Sequence, residues 1–151
     1  MQIHESGENY LKAIFILKQK QGVVRSVAVA EYLNVSKSSV SHAVAILRDG
    51  GMLIKDGDKP LHLTDVGQKV AGRIYERHKF FTELLENAGV DNNTAHKNAC
   101  RLEHAVSKES FKRIRDAYRD QQRDNYFARA KTDKKTGGFR DCPVRRLFTY
   151  P

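Results

Sequence analysis

Apolar residues recur at helical spacing along most of the chain, and the places where the recurrence stops divide it into elements. Tyr10, Leu11, Ile14, Phe15 and Leu17 share one face of a segment that Ser6 can cap and Gly22 stops, with Lys18 and Lys20 in its last turn. Ser26 can cap a short segment, Val27 to Leu33, and Asn34-Val35 makes a tight break before Ser36 opens a longer one that runs to Gly50. In that longer segment Val40, Ala43, Val44 and Leu47 form the buried stripe. The period then changes. Met52 to Lys55 and Leu61 to Thr64 read as two short strands around Asp56-Gly57, a strong hairpin signal. Thr64 caps a long helix with Val70, Ile74, His78, Phe81 and Leu85 on one side, ending at Gly89. Two more helices follow, one carrying His96 to His104 and one capped by Ser107 with Phe111, Ile114 and Tyr118 on its buried side. The pattern predicts a mainly α protein with a winged helix-turn-helix over residues 1–65 and a helical domain over 66–118. A basic extension over 119–151 continues helically through Ala130 and then loosens at Gly137-Gly138 and Pro143.

Charge adds a partner to this outline. The 151 residues carry 27 Lys and Arg against 18 Asp and Glu, a net charge of +9 that favours a polyanion. Residues 119–151 hold nine basic and four acidic residues, so roughly half of that excess sits in the extension. Basic excess alone more often marks a solvated surface, but here a DNA-sized element accompanies it. The buried stripe leaves Ser36, Lys37, Ser38, Ser39, Ser41 and His42 at or near the outward start of the second helix of the helix-turn-helix. Such side chains read base edges in a major groove, while Lys and a helix N-terminus suit phosphates. Lys59, at the hairpin tip, is placed to meet the phosphate backbone. An ordinary three-helix domain with capping serines is the plainer alternative.

The candidate chemistry lies further along. His96, Cys100, Glu103 and His104 are separated by four, three and one residues, which places them within an arc of roughly 100° on one helical face. A thiolate, two imidazoles and a carboxylate facing one point suit a borderline divalent metal such as Fe, Mn, Co, Ni or Zn. His78, inside an apolar stripe, would alone be a core histidine; beside this cluster it becomes a further candidate ligand. Metal-assisted hydrolysis is the enzymatic alternative, but no zincin motif, phosphate-binding glycine loop or nucleophile triad is visible, so no enzyme is expected. Phe80, Phe81, Leu84 and Leu85 supply more apolar surface than so small a bundle can cover, which predicts a homodimer. Cys100 and Cys142 are too few for a disulfide framework, and no apolar run approaches a membrane span, so a cytoplasmic protein without membrane contact is expected.

From Glu8-Asn9-Tyr10-Leu11 through Ser107 the chain resembles the diphtheria toxin repressor family of iron- and manganese-dependent transcription regulators. The most specific stretch is Ala99-Cys100-Arg101-Leu102-Glu103-His104, with His96 before it and Arg77-His78 in the preceding helix. The resemblance implies a helical metal-binding and dimerisation domain and a repressor of metal-homeostasis genes that binds a near-palindromic operator. It implies that Cys100, Glu103 and His104 hold one metal and that His78 and His96 hold a second. A further ligand is implied at Asn9, where the family usually has Met or Asp. Lys12 stands where manganese members can have an acidic ligand, and Thr82 where iron members have Glu. These departures leave open a winged-helix regulator that has lost metal control. Longer relatives carry a small barrel domain after a linker; Asp141-Cys142-Pro143 is similar to the start of that linker, and the barrel is not expected here. With Cys100 as a soft donor, the expected activator is Fe(II) slightly ahead of Mn(II).

Overall fold

Three helices come first along the chain in the computed structural model, which describes residues 5–54 and 60–132, with side chains through residue 125. They are α1 (Glu5–Gln21), α2 (Ser26–Leu33) and α3 (Lys37–Asp49). Leu11, Ile14, Val29, Val40 and Leu47 are at most 1% exposed and form the centre of one core. Each such side chain contributes about 1.5–3 kcal/mol through burial. The turn between α2 and α3 depends on Asn34, whose left-handed backbone (φ 53°) lets its amide bond back to Ala30 and Glu31. Ser36 caps α3 as its sequence predicts, accepting a hydrogen bond from the Ser39 amide at 3.1 Å.

Two expected caps fall elsewhere. Ser6 lies inside the first turn of α1, which already runs from Glu5. Ser26 is the first residue of α2, and the cap position belongs to Arg25, whose side chain makes no capping bond. The reason lies one residue earlier: Val24 pairs with Leu61, whose amide donates to the Val24 carbonyl at 2.8 Å, so the chain leaves an extended segment directly into the helix.

The hairpin strands are β1 (Leu53–Ile54) and β2 (His62–Leu63), antiparallel with Leu53 opposite Leu63 and Ile54 opposite His62. Met52 and Thr64, expected within the strands, lie just outside them, and Leu61 pairs with Val24; Lys55, the turn at Asp56-Gly57 and Lys59 lie outside the described residues. Thr64 joins this wing to α4 (Asp65–Asn87). Its hydroxyl accepts from the Gly67 amide at 3.0 Å and donates to the Gly51 carbonyl at 2.8 Å, and its own amide donates to Met52. A Cβ built on Gly67 would lie 2.0 Å from the Met52 carbonyl oxygen, so only glycine allows α4 to start this close to the wing.

α5 (Asn92–Ala105) packs along α4, with Asp91 capping it through the Thr94 amide at 3.0 Å. Ala95 and Ala99, four residues apart and without exposure, keep one face of α5 small enough for close approach. Phe81 is 2% exposed and so belongs to the chain's own interior rather than to a surplus apolar surface; Phe80, Leu84 and Leu85 remain half-buried. A separate unit begins at Val106. Within it α6 (Lys108–Thr132) is capped by Ser107 and runs without interruption across position 118, because no glycine or proline intervenes before Gly137. Residues 133–151, including Cys142, lie outside the described residues. No described helix is long and apolar enough to cross a membrane.

Candidate metal centre and DNA-facing helix

Side chains from α1, α4 and α5 converge on one place. α5 brings His96, Cys100, Glu103 and His104, α4 brings His78, and α1 brings Glu8, Asn9 and Lys12. Helical spacing produces each contribution: Glu8 and Asn9 stand one turn before Lys12, as Cys100 stands one turn before Glu103 and His104. Cys100 Sγ, a Glu103 oxygen and a His104 nitrogen all lie within 4.8 Å of one another. That is close to the span of atoms that each sit about 2.0–2.3 Å from a shared ion.

The hydrogen bonds say how the imidazoles are held. His104 Nδ1 lies 2.6 Å from a Glu8 oxygen, and His78 Nδ1 lies 2.8 Å from Glu103 Oε2. A carboxylate on one ring nitrogen fixes the tautomer and leaves the other as a lone-pair donor, the usual support for a metal-ligating histidine. His104 Nε2 then faces Asn9 Oδ1 at 3.4 Å and Glu103 Oε1 at 3.2 Å, both acceptors. Lys12 gives Glu103 Oε1 a cation, while the lone pairs of Asn9 Oδ1 and His104 Nε2 face one another beside it, a donor set that fits a divalent ion. His78 Nε2 meets His96 Nδ1 at 3.2 Å with the rings stacked, so His96 joins the group from its exposed edge.

Electrostatics point the same way. The Glu103 side chain is 0% exposed, an arrangement that persists only with strong compensation. Part of it comes from Lys12, whose ammonium is ion-paired with Glu103 Oε1 and lies 3.7 Å from Cys100 Sγ. Burial pushes the Cys100 thiol above its ordinary pKa; the Lys12 charge draws it down, and Glu103 and Glu5 push it up again. One turn along α4 from His78, Thr82 is buried and its hydroxyl finds no hydrogen-bond partner among the described residues. The structure thus brings His78, His96, Cys100, Glu103, His104 and Asn9 together.

Glu8 and the role of Lys12 were missed from sequence. Their signal was a polar stripe, Glu5, Glu8, Asn9 and Lys12, at helical spacing on a helix whose other faces supply buried Leu11, Ile14 and Phe15.

On α3, Lys37, Ser38, Ser39, Ser41 and His42 are all exposed, as is the capping Ser36. Ser36 Oγ lies 2.8 Å from both Ser38 Oγ and Ser39 Oγ besides holding the Ser39 amide. That hydroxyl is committed to the helix start, which leaves Lys37, Ser41 and His42 as the least encumbered of the group.

Comparison with known proteins agrees with both halves. Residues 2–61 match the family described as iron dependent repressor, N-terminal DNA binding domain, and residues 64–127 match iron dependent repressor, metal binding and dimerisation domain. The chain is 30% identical over 120 residues to the diphtheria toxin repressor of Corynebacterium diphtheriae, covering 79% of this chain and 53% of that protein. It is 32% identical over 111 residues to the transcriptional regulator MntR of Shouchella clausii, covering 74% of this chain and 78% of that protein. It thus spans about half the length of the first relative and most of the second. Among solved structures, the manganese regulator SloR matches with a TM-score of 0.66 at 28% identity, over 75% of this chain and 53% of that one. A manganese-dependent transcriptional repressor in complex with manganese matches with a TM-score of 0.64 at 32% identity, over 72% and 50%. Both matched domains are those of repressors, which sets the hydrolase alternative aside. With its winged helix-turn-helix and its Cys100, Glu103, His104 cluster, the chain belongs to the iron dependent repressor family of metal-dependent, DNA-binding transcriptional regulators.

Proposed function

We propose that this protein represses metal-homeostasis genes by binding a near-palindromic operator as a homodimer when a divalent transition metal is present. The observation that carries the reading is the meeting of α1 and α5 at the donor cluster, with Asn9 Oδ1 3.5 Å from Cys100 Sγ and 3.4 Å from His104 Nε2. Cys100, Glu103, His104 and Asn9, joined by His78 and His96, would hold the metal, and a bound ion would supply bonds linking the two helices. Glu8 orients His104 and Glu103 orients His78, so the rings present lone pairs without rearranging. α1 packs against α2 and α3, so fixing α1 fixes the recognition helix relative to the dimerisation domain. In a symmetric dimer that sets the spacing of two recognition helices against half-sites about one DNA turn apart. At the operator, Ser36 and Ser39 hold the start of α3, Lys37 and Lys59 meet phosphates, and Ser38, Ser41 and His42 face base edges.

The Cys100 thiolate favours Fe(II) slightly over Mn(II). Titrating an operator duplex with the protein in chelator and then with each divalent metal tests the reading. Metal-dependent binding that falls steeply with salt and is abolished by His104→Ala supports it. Equal binding in chelator would favour a regulator without metal control, a reading to which the Lys12–Glu103 pair lends support by joining α1 to α5 unaided. Cys100→Glu should move activation toward Mn(II); an unchanged metal ranking would show that Cys100 does not touch the ion.

A further inference from the structure

We infer that Lys12 is a resident cation of the metal centre, so that each chain takes one divalent ion and not two. This deepens the metal-binding reading and rests on it. The donors at the centre are numerous enough for two ions. One group is Cys100 Sγ, His104 Nε2 and Asn9 Oδ1 with Glu103 Oε1 beside it, and the other is His78 Nε2 with His96 Nδ1; the second Glu103 oxygen holds His78 through its opposite ring nitrogen, Nδ1.

The positive charge beside Glu103 comes from the chain itself. Lys12 Nζ is paired with Glu103 Oε1 and faces Cys100 Sγ, with its side chain 10% exposed and that of Glu103 0% exposed. An ammonium is a compact point charge on a flexible stem, and here it lies against two of the three atoms that would share a metal.

Charge balance sets the number of ions. The anionic groups in contact at the centre are Glu8, Glu103 and Cys100 as thiolate, three negative charges; Lys12 reduces them to two, which one divalent ion neutralises. A second divalent ion would add two positive charges that no further anionic group in contact balances, and it would be held by the neutral imidazoles of His78 and the exposed His96. The positions that could have added carboxylates are neutral: Asn9 on α1, and Thr82, buried one turn from His78. Lys12 is therefore a residue that sets the metal stoichiometry, acting through Glu103 and Cys100.

Metal counting tests this without reference to DNA. The full chain and its Lys12→Gln and Lys12→Glu variants are titrated with Co(II) alone, and bound cobalt per chain is measured by calorimetry and by elemental analysis after desalting. The expected result is one Co(II) per chain in the parent and two in Lys12→Glu, with a second, weaker equivalent in Lys12→Gln. Should Lys12→Glu fail to fold, the Lys12→Gln count decides. Two equivalents in the parent, or one in every variant, would overturn the role of Lys12 while leaving a metal-binding protein. No cobalt in any of the three would overturn the proposed function and this inference with it.

Discussion

The start of α3 and the candidate metal centre are both clusters of polar side chains at a helix surface, yet they are held in opposite ways. At α3, Ser36, Ser38 and Ser39 bond within three residues of one another and stand in solvent. At the centre, Lys12 meets Glu103 across 91 residues of sequence and Glu8 meets His104 across 96, with Glu103 fully buried. A local, solvated cluster costs little if one member is lost, because water replaces it. A buried, long-range cluster carries charge that water cannot reach, so each member depends on the others. The first arrangement suits a surface that must stay free for a partner, the second a device that joins distant parts of the chain.

The largest effect should come from breaking the buried pair. In metal-free protein, Glu103→Leu leaves the Lys12 ammonium without its partner, and Lys12→Met leaves Glu103 with only its histidine contacts. Each should lower the unfolding free energy by about 3–5 kcal/mol in urea melts. The double variant should lose clearly less than the sum of the two, with a coupling of about 0.5–3 kcal/mol. Strict additivity would show that the two side chains do not act as a unit, and the contrast with α3 would lose its basis.

The next effect belongs to the joint between the two regions. Gly67→Ala puts a methyl group against the Met52 carbonyl, and the helix must shift away from the wing. The expected loss is about 1–3 kcal/mol despite alanine's better helix propensity, read from the thermal midpoint. If the midpoint holds or rises, α4 has room to move and does not lock the wing to the centre.

How much of this was legible in sequence follows the same division. Helix identities, the helix-turn-helix break at Asn34, and the Ser36, Thr64 and Ser107 caps depend on neighbours within four residues, and pattern reading placed them. The shared face of His96, Cys100, Glu103 and His104 was legible for the same reason, since all four stand on one helix. Ser26 was misplaced as a cap because Val24 pairs with Leu61, a contact that no local pattern contains. Phe81 looked like surplus surface because amphipathic spacing gives a direction and not the neighbour that fills it. Glu8 escaped notice because an acidic residue in a first helical turn already has an ordinary explanation in the helix dipole.

A smaller effect sharpens the chemical side of the comparison. Burial, with Glu103 and Glu5 close by, holds the Cys100 thiol above its ordinary pKa, so at neutral pH it carries a proton that a metal must displace. The sign follows directly: apparent metal affinity should rise with pH, by about tenfold per unit for this one proton. Calorimetry of Co(II) binding in buffers of different ionisation enthalpy counts the protons released. The parent should release about one more than Cys100→Glu, whose carboxylate is already ionised at neutral pH. Equal counts would remove Cys100 from the coordinating set.

The smallest effect lies at α3 and concerns the cost of a local cluster. Ser36→Ala removes the acceptor for the Ser39 amide and the partner of two neighbouring hydroxyls, but all of these groups are exposed and can turn to water. The stability loss should therefore stay near 1 kcal/mol, the usual value for an N-cap, and metal stoichiometry should not change. Operator affinity should fall more than stability does. Lys37, Ser38 and Ser41 follow Ser36 in the first turns of α3, and fraying there would loosen every group proposed to face the groove. Random-sequence duplexes should be affected less, since phosphate contacts tolerate small shifts that base contacts do not. If Ser36→Ala instead weakens specific and random duplexes equally, the start of α3 positions the protein on the backbone, and base reading belongs to residues further along the helix.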